Sequence, residues 1–394
     1  MKKKLFLISP NILKVPYPVY PVGLSYLATY LEKKLPNFTV RIIDLNLTNV
    51  AQFKELLKAE QPDYLGFSLR NIDDCDSYGQ KSFVENYKTL IKEARSASKA
   101  PIIIGGAGYS IYPELLYKEL RPDFGIYGEG EETLFKLLSA LEKKQDPKQI
   151  DSLVYMDKDI VKKNKRTAYL TDLALHYDRD IIDYYWLHSG MLSLQTKRGC
   201  PYNCIYCTYP LIEGQNVRTL NPDRIIEILK DLKQTKNINY VYFTDSVFNI
   251  EADYNEYLAK KIIESKLDIQ WGAFFAPKDL DRKMLSLYKE SGLTHIEFGT
   301  ESLSDRVLKS YGKEFTVAEV LATAKLCHEL KIYSAHFLIL GGYGETQETL
   351  RETLENSKKI ENSVFFPFIG MRIYPNTPLH KYAIAEGIIS ANDP

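Results

Sequence analysis

Short apolar segments alternate with longer amphipathic segments through the first 150 residues of the chain. Such short runs are typical of buried strands, and apolar residues at helical spacing are typical of helices that pack on a sheet. Because each predicted strand is followed by a predicted helix, we expect a parallel sheet with both faces covered. The predicted strands are 4–9, 40–44, 64–69, 102–105 and 124–127, and the predicted helices lie near 23–32, 50–59, 80–97, 113–120 and 131–143.

The alternation resumes at residue 192 with longer spacing. Six strands with intervening helices over ~200 residues predict a partial barrel, since a closed eightfold barrel usually takes ~250 residues. The predicted strands are 192–197, 240–244, 270–275, 295–298, 334–340 and 366–373, and the helices lie near 222–234, 253–265, 281–291, 317–330 and 347–360.

Residues 152–169 have the pattern of a small hairpin, and a polar linker follows them. The sequence therefore predicts an α/β fold in three parts. These are a Rossmann-like parallel-sheet domain at 1–150, a hairpin and linker at 151–185, and a partial (β/α)6 barrel at 186–394. Ligands of such folds bind at the carboxyl ends of the strands, so we expect the functional residues in the loops that follow them.

Composition narrows the possible partners. Lys plus Arg equals Asp plus Glu at 51 each. The chain therefore has no excess of charge that would favour binding to nucleic acid or to a membrane surface. No apolar run approaches the ~18 residues of a membrane span. The apolar stretch near the amino terminus is interrupted by Pro10 and Asn11, which makes it too short for a secretion signal. We expect a cytoplasmic protein.

Three of the five cysteines, Cys200, Cys204 and Cys207, fall in one short segment directly after a predicted strand. A disulfide framework would spread its cysteines, whereas such a cluster indicates a metal site. A structural zinc site would need a fourth ligand, and the distant Cys75 and Cys327 provide no ligand pair. Three thiolates can instead hold three irons of a four-iron cluster and leave one iron open. A zinc knuckle remains the alternative.

The Cys-x3-Cys-x2-Cys spacing, with the aromatic Tyr206 directly before the last cysteine, resembles the signature of the radical S-adenosylmethionine (SAM) superfamily. The resemblance implies a [4Fe-4S] cluster whose open iron binds SAM, and reductive cleavage of SAM to a deoxyadenosyl radical. It implies that Tyr206 lies against the adenine. It also implies roles for later strand ends: Asp245 and Ser246 toward the SAM amino group, Glu301 toward the ribose, Lys313 toward the carboxylate, and Leu340 and Gly341 against the adenine. A helix cap or an ordinary turn is the alternative for the polar positions.

The amino-terminal region resembles the cobalamin-binding domain that is joined to many radical SAM enzymes. The resemblance implies cobalamin contacts at the strand-end loops, although a tight turn or a helix start would also explain each loop alone. All six histidines lie beyond residue 150, so this domain can offer cobalt no imidazole. The implied cobalamin contacts are Pro18, Gly23, Leu24, Ser68, Arg70, Asn71, Gly105, Gly106, Ala107, Gly128, Glu129, Gly130 and Glu131.

The joint resemblance implies a cobalamin-dependent radical SAM methyltransferase that acts on an unactivated carbon of a small-molecule substrate. It implies [4Fe-4S], SAM and cobalamin as cofactors, and an external electron donor of the flavodoxin or ferredoxin type. Oxidation, cyclisation or rearrangement with the same cofactors remains an alternative, as does a cobalamin carrier or sensor. Relatives commonly continue past the sixth strand, so we expect residues that cover the substrate to come from beyond residue 394 or from a partner.

Four further residues are weaker candidates. Cys75 follows a predicted strand and could act as a thiol, whereas Cys327 falls in the apolar pattern of a helix and is expected in the core. His295 and His336 lie on predicted strands, where we expect interior histidines with satisfied hydrogen bonds.

Overall fold

The computed structural model describes residues 2–74, 81–171 and 173–390, so Cys75 lies outside the described residues. The chain divides into two compact units. The first comprises the residues up to Gly190 together with Leu211–Glu213. The second comprises Met191–Pro210 and the described residues from Gly214 onward.

The first unit is built on a seven-stranded sheet with the order β2-β1-β3-β4-β5-β6-β7. The pairs among β1 to β5 are parallel, whereas β6 and β7 join as an antiparallel hairpin at the β5 edge. The predicted hairpin is therefore present, and it extends the first sheet. The strands are β1 Lys3–Ser9, β2 Phe38–Asp44, β3 Tyr64–Ser68, β4 Ile102–Gly105, β5 Phe124–Ile126, β6 Leu153–Asp157 and β7 Ile160–Lys163.

The helices of this unit cover an apolar sheet. Ile8, Phe67 and Ile104 of three adjacent strands are at most 2% exposed, as is Phe53 of the second helix. Burial of these side chains is the main stabilising contribution. The helices are α1 Val22–Lys34, α2 Val50–Glu60, α3 Val84–Ala97, α4 Ala107–Ile111, α5 Pro113–Leu120, α6 Glu131–Glu142 and α7 Ile182–Ser189. The last of these helices begins in the segment predicted as linker, 151–185, and extends four residues beyond it.

The second unit contains a six-stranded parallel sheet with the order β15-β14-β13-β12-β11-β8 and a small antiparallel pair, β9 with β10. The order follows the chain, as in a partial barrel, and the predicted (β/α)6 fold is confirmed. The strands are β8 Leu192–Leu194, β9 Lys197–Arg198, β10 Arg218–Thr219, β11 Tyr240–Phe243, β12 Gln270–Phe275, β13 Leu293–Glu301, β14 Tyr333–Leu340 and β15 Ser363–Ile369.

Alternate residues of this sheet face opposite sides. Trp271, Phe298 and His336 belong to one face and are fully or almost fully buried. The residues between them form the opposite face, which we call the inner face, and they are more exposed. The helices are α8 Tyr209–Ile212, α9 Pro222–Lys236, α10 Ala252–Ser265, α11 Arg282–Glu290, α12 Asp305–Ser310, α13 Val317–Glu329, α14 Gln347–Ser357 and α15 Pro378–Ala385.

Candidate functional site

Cys200, Cys204 and Cys207 are free thiols on the loop that follows β9. The loop turns through Gly199, whose φ of +90° favours glycine, and a Cβ there would lie 2.3 Å from the Asn216 carbonyl oxygen. The Cys200 amide donates to the Gly214 carbonyl oxygen at 3.0 Å, and the Cys207 amide donates to that of Cys204 at 3.1 Å. The backbone therefore fixes where the three thiols lie.

A second segment supports this loop from the side. The Ile205 amide donates to the Tyr311 carbonyl oxygen at 3.0 Å. Gly312 follows with a φ of +71°, and a Cβ there would lie 2.7 Å from the Asn203 carbonyl oxygen. Because this segment approaches so closely, it brings Lys313 next to Tyr206, with the ammonium nitrogen 5.5 Å from the ring centroid.

Two of the three thiols, Cys200 and Cys207, have surroundings that disfavour the thiolate form. Burial raises the pKa of Cys200, and the neighbouring Cys204 raises it further. Burial raises the pKa of Cys207 to about 12, and Cys204 and Cys200 act in the same direction. Ligation by positively charged iron would remove this penalty, since metal-bound thiols are deprotonated. The donor set fits an iron–sulfur cluster.

Among the described residues, no three His, Cys, Asp or Glu side chains converge as ligands of one metal ion. A mononuclear zinc site requires such convergence, whereas a four-iron cluster is held by thiolates on separate irons.

Tyr206, Glu301 and Lys313 form a hydrogen-bonded group beside the thiols. The Tyr206 hydroxyl donates to Glu301 Oε1 at 2.8 Å, and the Lys313 ammonium donates to the same oxygen at 3.2 Å. Glu301 ends β13 with a φ of +63°, an unusual conformation for a residue with a side chain. Burial lowers the pKa of Lys313, but Glu301 and Cys204 outweigh it and the net shift is upward. The lysine is therefore held as a cation.

Asp245 has a different place from the one that the sequence predicted. Its carboxylate is fully buried and lies 3.0 Å from the equally buried Lys197 ammonium. It also accepts hydrogen bonds from the Thr196 amide at 2.7 Å, the Lys197 amide at 3.1 Å and the Thr196 hydroxyl. Since both oxygens are occupied within the fold, we correct the assignment: Asp245 anchors the segment before the cysteine loop and does not face SAM.

The remaining positions predicted for SAM lie at strand ends. The Ser246 hydroxyl donates to the Gly199 carbonyl oxygen at 3.0 Å, so it contacts the cysteine loop. Leu340 ends β14, and Gly341 follows with a φ of +77°; a Cβ there would have only the Gly370 amide nitrogen, at 3.9 Å, within 4 Å. Gly342 is more constrained, because a Cβ there would lie 2.1 Å from the Tyr311 hydroxyl oxygen.

The strand order of the first unit identifies a second candidate site. In a doubly wound sheet of order 2-1-3-4-5, ligands bind where the order reverses, between β1 and β3. Ser68 ends β3 at this point, Arg70 and Asn71 follow it, and all three are at least partly exposed. The Asn71 Oδ1 atom is buried without a hydrogen-bond partner among the described residues. A ligand with amide or hydroxyl groups fits this edge.

The predicted glycines of this edge serve the fold as well. A Cβ at Gly106 would lie 2.7 Å from the Leu69 carbonyl oxygen, and one at Gly128 would lie 2.0 Å from an Arg166 guanidinium nitrogen. Gly130 packs against Leu27, and Gly105 against the Ile126 carbonyl oxygen. Among the glycines predicted to contact cobalamin, only Gly23 has a Cβ position with no atom within 4 Å.

The other predicted contacts at this edge divide by exposure. Ala107 is exposed and Glu129 is partly exposed, with the latter accepting from the Leu170 amide at 3.2 Å. Pro18, Leu24 and Glu131 are buried. The Leu24 side chain belongs to the core that α1 packs against the sheet, so its side chain is not available to a ligand.

Comparison with known families agrees with both sites. The family model described as the radical SAM superfamily matches residues 194–356, and that of the B12 binding domain matches residues 8–138. The chain carries a radical SAM domain and, ahead of it, a B12-binding domain. The two domains of this radical SAM enzyme imply a [4Fe-4S] cluster, SAM and cobalamin as cofactors.

Relatives match both domains together. An uncharacterized methyltransferase of Pyrococcus horikoshii is 27% identical over 381 residues, which cover 94% of this chain and 79% of the relative. The tryptophan 2-C-methyltransferase of Streptomyces laurentii is 23% identical and covers 98% and 75%. The structure of the radical SAM methyltransferase TsrM from Kitasatospora setae, with cobalamin and a [4Fe-4S] cluster, superimposes with a TM-score of 0.92 at 21% identity and covers 100% and 76%. A second structure of that protein holds tryptophan and a SAM analogue.

Sequence reasoning missed several residues that build the cluster site in this enzyme. Lys197 belongs to no recognisable sequence motif, and its role is evident only from its burial beside Asp245. Tyr311 and Gly312 support the cysteine loop from another part of the chain. The Lys313 position twelve residues after Glu301 was the one signal that pointed to this segment.

No helix among the described residues combines the length and the apolar character that crossing a membrane requires.

Proposed function

We propose that this enzyme is a cobalamin-dependent radical SAM methyltransferase that acts on an unactivated carbon of a small-molecule substrate. The single observation that carries the proposal is that its similarity to two methyltransferases spans both domains, at 94% and 98% of its length. When bound, the cluster and SAM supply a carbon radical and cobalamin supplies a methyl group.

The chain's own residues divide the binding tasks. Cys200, Cys204 and Cys207 would hold the cluster. The partly buried Tyr206 ring would support the adenine, while its hydroxyl keeps Glu301 in place at 2.8 Å. Lys313 supplies a buried positive charge beside the thiols, which suits the carboxylate of SAM.

The loops at the β1 and β3 ends would hold cobalamin. Ser68, Arg70 and Asn71 offer hydroxyl, guanidinium and amide groups that match the amide side chains of the corrin. Residues 1–150 contain no histidine, so the amino-terminal domain would leave cobalt without an imidazole ligand. A weakly ligated cobalt suits transfer of the methyl group to a carbon radical.

The enzyme needs an electron from outside the chain. We infer a flavodoxin or ferredoxin as donor, because the cluster must be reduced before SAM is cleaved. A reducing compartment preserves three clustered thiols, and we therefore place the enzyme in the cytoplasm.

The decisive experiment follows the methyl group. Anaerobic holoenzyme with reductant and SAM carrying a deuterated methyl group is incubated with a metabolite extract, and products are analysed by mass spectrometry. We expect a product that carries the labelled methyl group, and none with the Cys204→Ala variant. SAM cleavage with a changed but unlabelled product would contradict methylation and favour oxidation, cyclisation or rearrangement.

A further inference from the structure

The inner face of the second sheet carries a connected group of aromatic side chains. Tyr242 of β11 lies 5.3 Å from Phe274 of β12, and Phe274 lies 6.0 Å from Phe337 of β14, measured between ring centroids. Phe337 lies 5.3 Å from Phe366 and 6.0 Å from Phe368 of β15. We call these five residues the aromatic row.

The aromatic row has members on both sides of β13. Phe274 and Phe337 belong to strands that are not neighbours, since β13 pairs with both. Gly299 of β13 carries no side chain, and a Cβ at its position would have only Glu301 Oε1, at 3.4 Å, within 4 Å. The row therefore crosses the sheet from β11 to its edge.

The rings are open in spite of their apolar character. Phe274 is 37% exposed, Phe366 45% and Phe368 53%. Phe337 stacks on Phe366 at 21° and on Phe368 at 26°, so the three rings are close to parallel. Tyr242, Phe274 and Phe368 are each the next-to-last residue of their strand, at the end where barrel enzymes bind substrate. Nearly parallel open rings suit a flat ring system better than a branched aliphatic one.

One carboxylate stands within this apolar surface. Glu297 pairs in register with Phe274 on one side and Ala335 on the other. The basic side chain recorded beside it among the described residues is the His295 imidazole, whose Nε2 atom lies 3.8 Å away. Along the paired strands described here, the inner face carries no Lys or Arg. A half-buried carboxylate in such surroundings favours a ligand that brings a cation or an N–H donor.

We propose that the inner face binds a substrate that combines a flat aromatic ring system with an amine or other cationic nitrogen. The aromatic row would contact the ring and Glu297 would pair with the nitrogen. The inference rests on the proposed function, because it takes the ligand of this face to be the substrate. Glu301 is the next carboxylate along β13, and it is already paired with Tyr206 and Lys313.

Calorimetric titration of the anaerobic holoenzyme with three small probes tests this inference. Tryptamine has a flat ring and an amine, cyclohexylethylamine has the amine without a flat ring, and indole-3-propionate has the flat ring with a negative charge. We expect tryptamine to bind about tenfold more tightly than either of the others, which is the lower range for one stacked ring or one charge pair. Equal affinity for all three, or no binding of tryptamine by protein that binds SAM, would overturn the inference.

Substitutions test the contributions of the aromatic row and of Glu297 separately. Phe337→Leu should weaken tryptamine about tenfold, and Phe366→Leu at the exposed edge should act in the same direction. Glu297→Gln should weaken tryptamine and leave indole-3-propionate unchanged or tighter. Retained SAM binding shows that each variant is folded. Tyr257→Leu on α10 and Glu355→Gln on α14 are matched exposed controls and should change nothing. Loss of tryptamine affinity in these controls, or none in the inner-face variants, would also overturn the inference.

The experiments can refute the inference about substrate binding and the proposed methyltransferase function independently of each other. Tryptamine that binds as expected in an enzyme that never transfers a labelled methyl group would refute the proposed function and leave this inference intact. A labelled methyl group on a product without a ring or a cationic nitrogen would refute this inference alone.

Discussion

The Lys197 ammonium lies 3.0 Å from Asp245 Oδ2, and both side chains are almost completely excluded from solvent. The ammonium also donates to the Phe248 carbonyl oxygen at 2.9 Å and to the Thr196 hydroxyl at 3.0 Å. Every polar atom of the pair therefore has a partner. Burial lowers the pKa of Lys197 and Asp245 opposes this, so the pair is stable only as a unit.

Removing one member of the pair should destabilise the second unit severely. Asp245→Ala leaves a buried ammonium without its counter-charge, and we expect a loss of about 3–5 kcal/mol in the free energy of unfolding. Lys197→Met with Asp245→Leu removes both charges and should recover much of that loss. Denaturant unfolding measures both variants. A single variant as stable as the original protein would show that the pair contributes little.

The cysteine loop should depend on each of its thiols. Anaerobically reconstituted protein should hold about four irons per chain, and Cys200→Ala, Cys204→Ala or Cys207→Ala should each abolish SAM cleavage. Iron analysis and product chromatography provide the measurements, and Cys327→Ala in the core of α13 is the matched control. Zinc, or iron at one atom per chain, would exclude the cluster.

Two substitutions at Tyr206 separate its ring from its hydroxyl. Tyr206→Ala should weaken SAM binding by about tenfold to a hundredfold while the cluster remains, because stacking on a base contributes about 1–3 kcal/mol. Tyr206→Phe keeps the ring and loses only the hydrogen bond to Glu301, so SAM affinity should stay within severalfold of the original. If Phe weakens SAM as much as Ala does, the hydroxyl and not the ring is responsible.

His336 should make the second unit sensitive to acid. The imidazole is fully buried between the rings of Phe298 and Phe365, and burial lowers its pKa to about 4. Between about pH 6.5 and 4 the unfolded chain binds a proton here that the folded chain does not, so stability falls as pH falls. The loss from pH 7 to pH 5 should be about 2 kcal/mol.

His336→Gln removes this titration and keeps a polar group for the Thr300 hydroxyl, which lies 2.8 Å from the imidazole. Unfolding free energies at pH 7 and pH 5 should differ less in this variant than in the original protein. His328→Gln, at an exposed position, should retain the full difference. An undiminished difference in His336→Gln would assign the acid sensitivity to other groups.

Bound cobalamin should carry no nitrogen ligand from residues 1–150, because that part of the chain contains no histidine. We further expect the cobalamin's own base to leave cobalt, as the family resemblance implies. Electron paramagnetic resonance of the bound cob(II)alamin should lack the nitrogen splitting that free cobalamin shows at neutral pH. Persistent splitting would remove the argument from weakly ligated cobalt, and absence of cobalamin binding would contradict the cofactor itself.

The sequence by itself determined what depends on local pattern and spacing. Strand and helix positions follow from hydrophobic periodicity, so β1 to β5 and the six barrel strands lie close to where they were predicted. The cysteine spacing identifies the cluster loop because its three ligands are neighbours along the chain. The absence of histidine from residues 1–150 needed only a count.

Only the tertiary structure decided how distant residues pair. The sequence predicted that the Asp245 carboxylate contacts SAM. In the folded chain Lys197 lies against that carboxylate, and both side chains are buried. The place of Lys313 beside Tyr206 depends on Gly312 packing against the cysteine loop. The aromatic row joins four strands that are far apart in sequence. Such contacts depend on register and chain crossing, which a one-dimensional pattern does not contain.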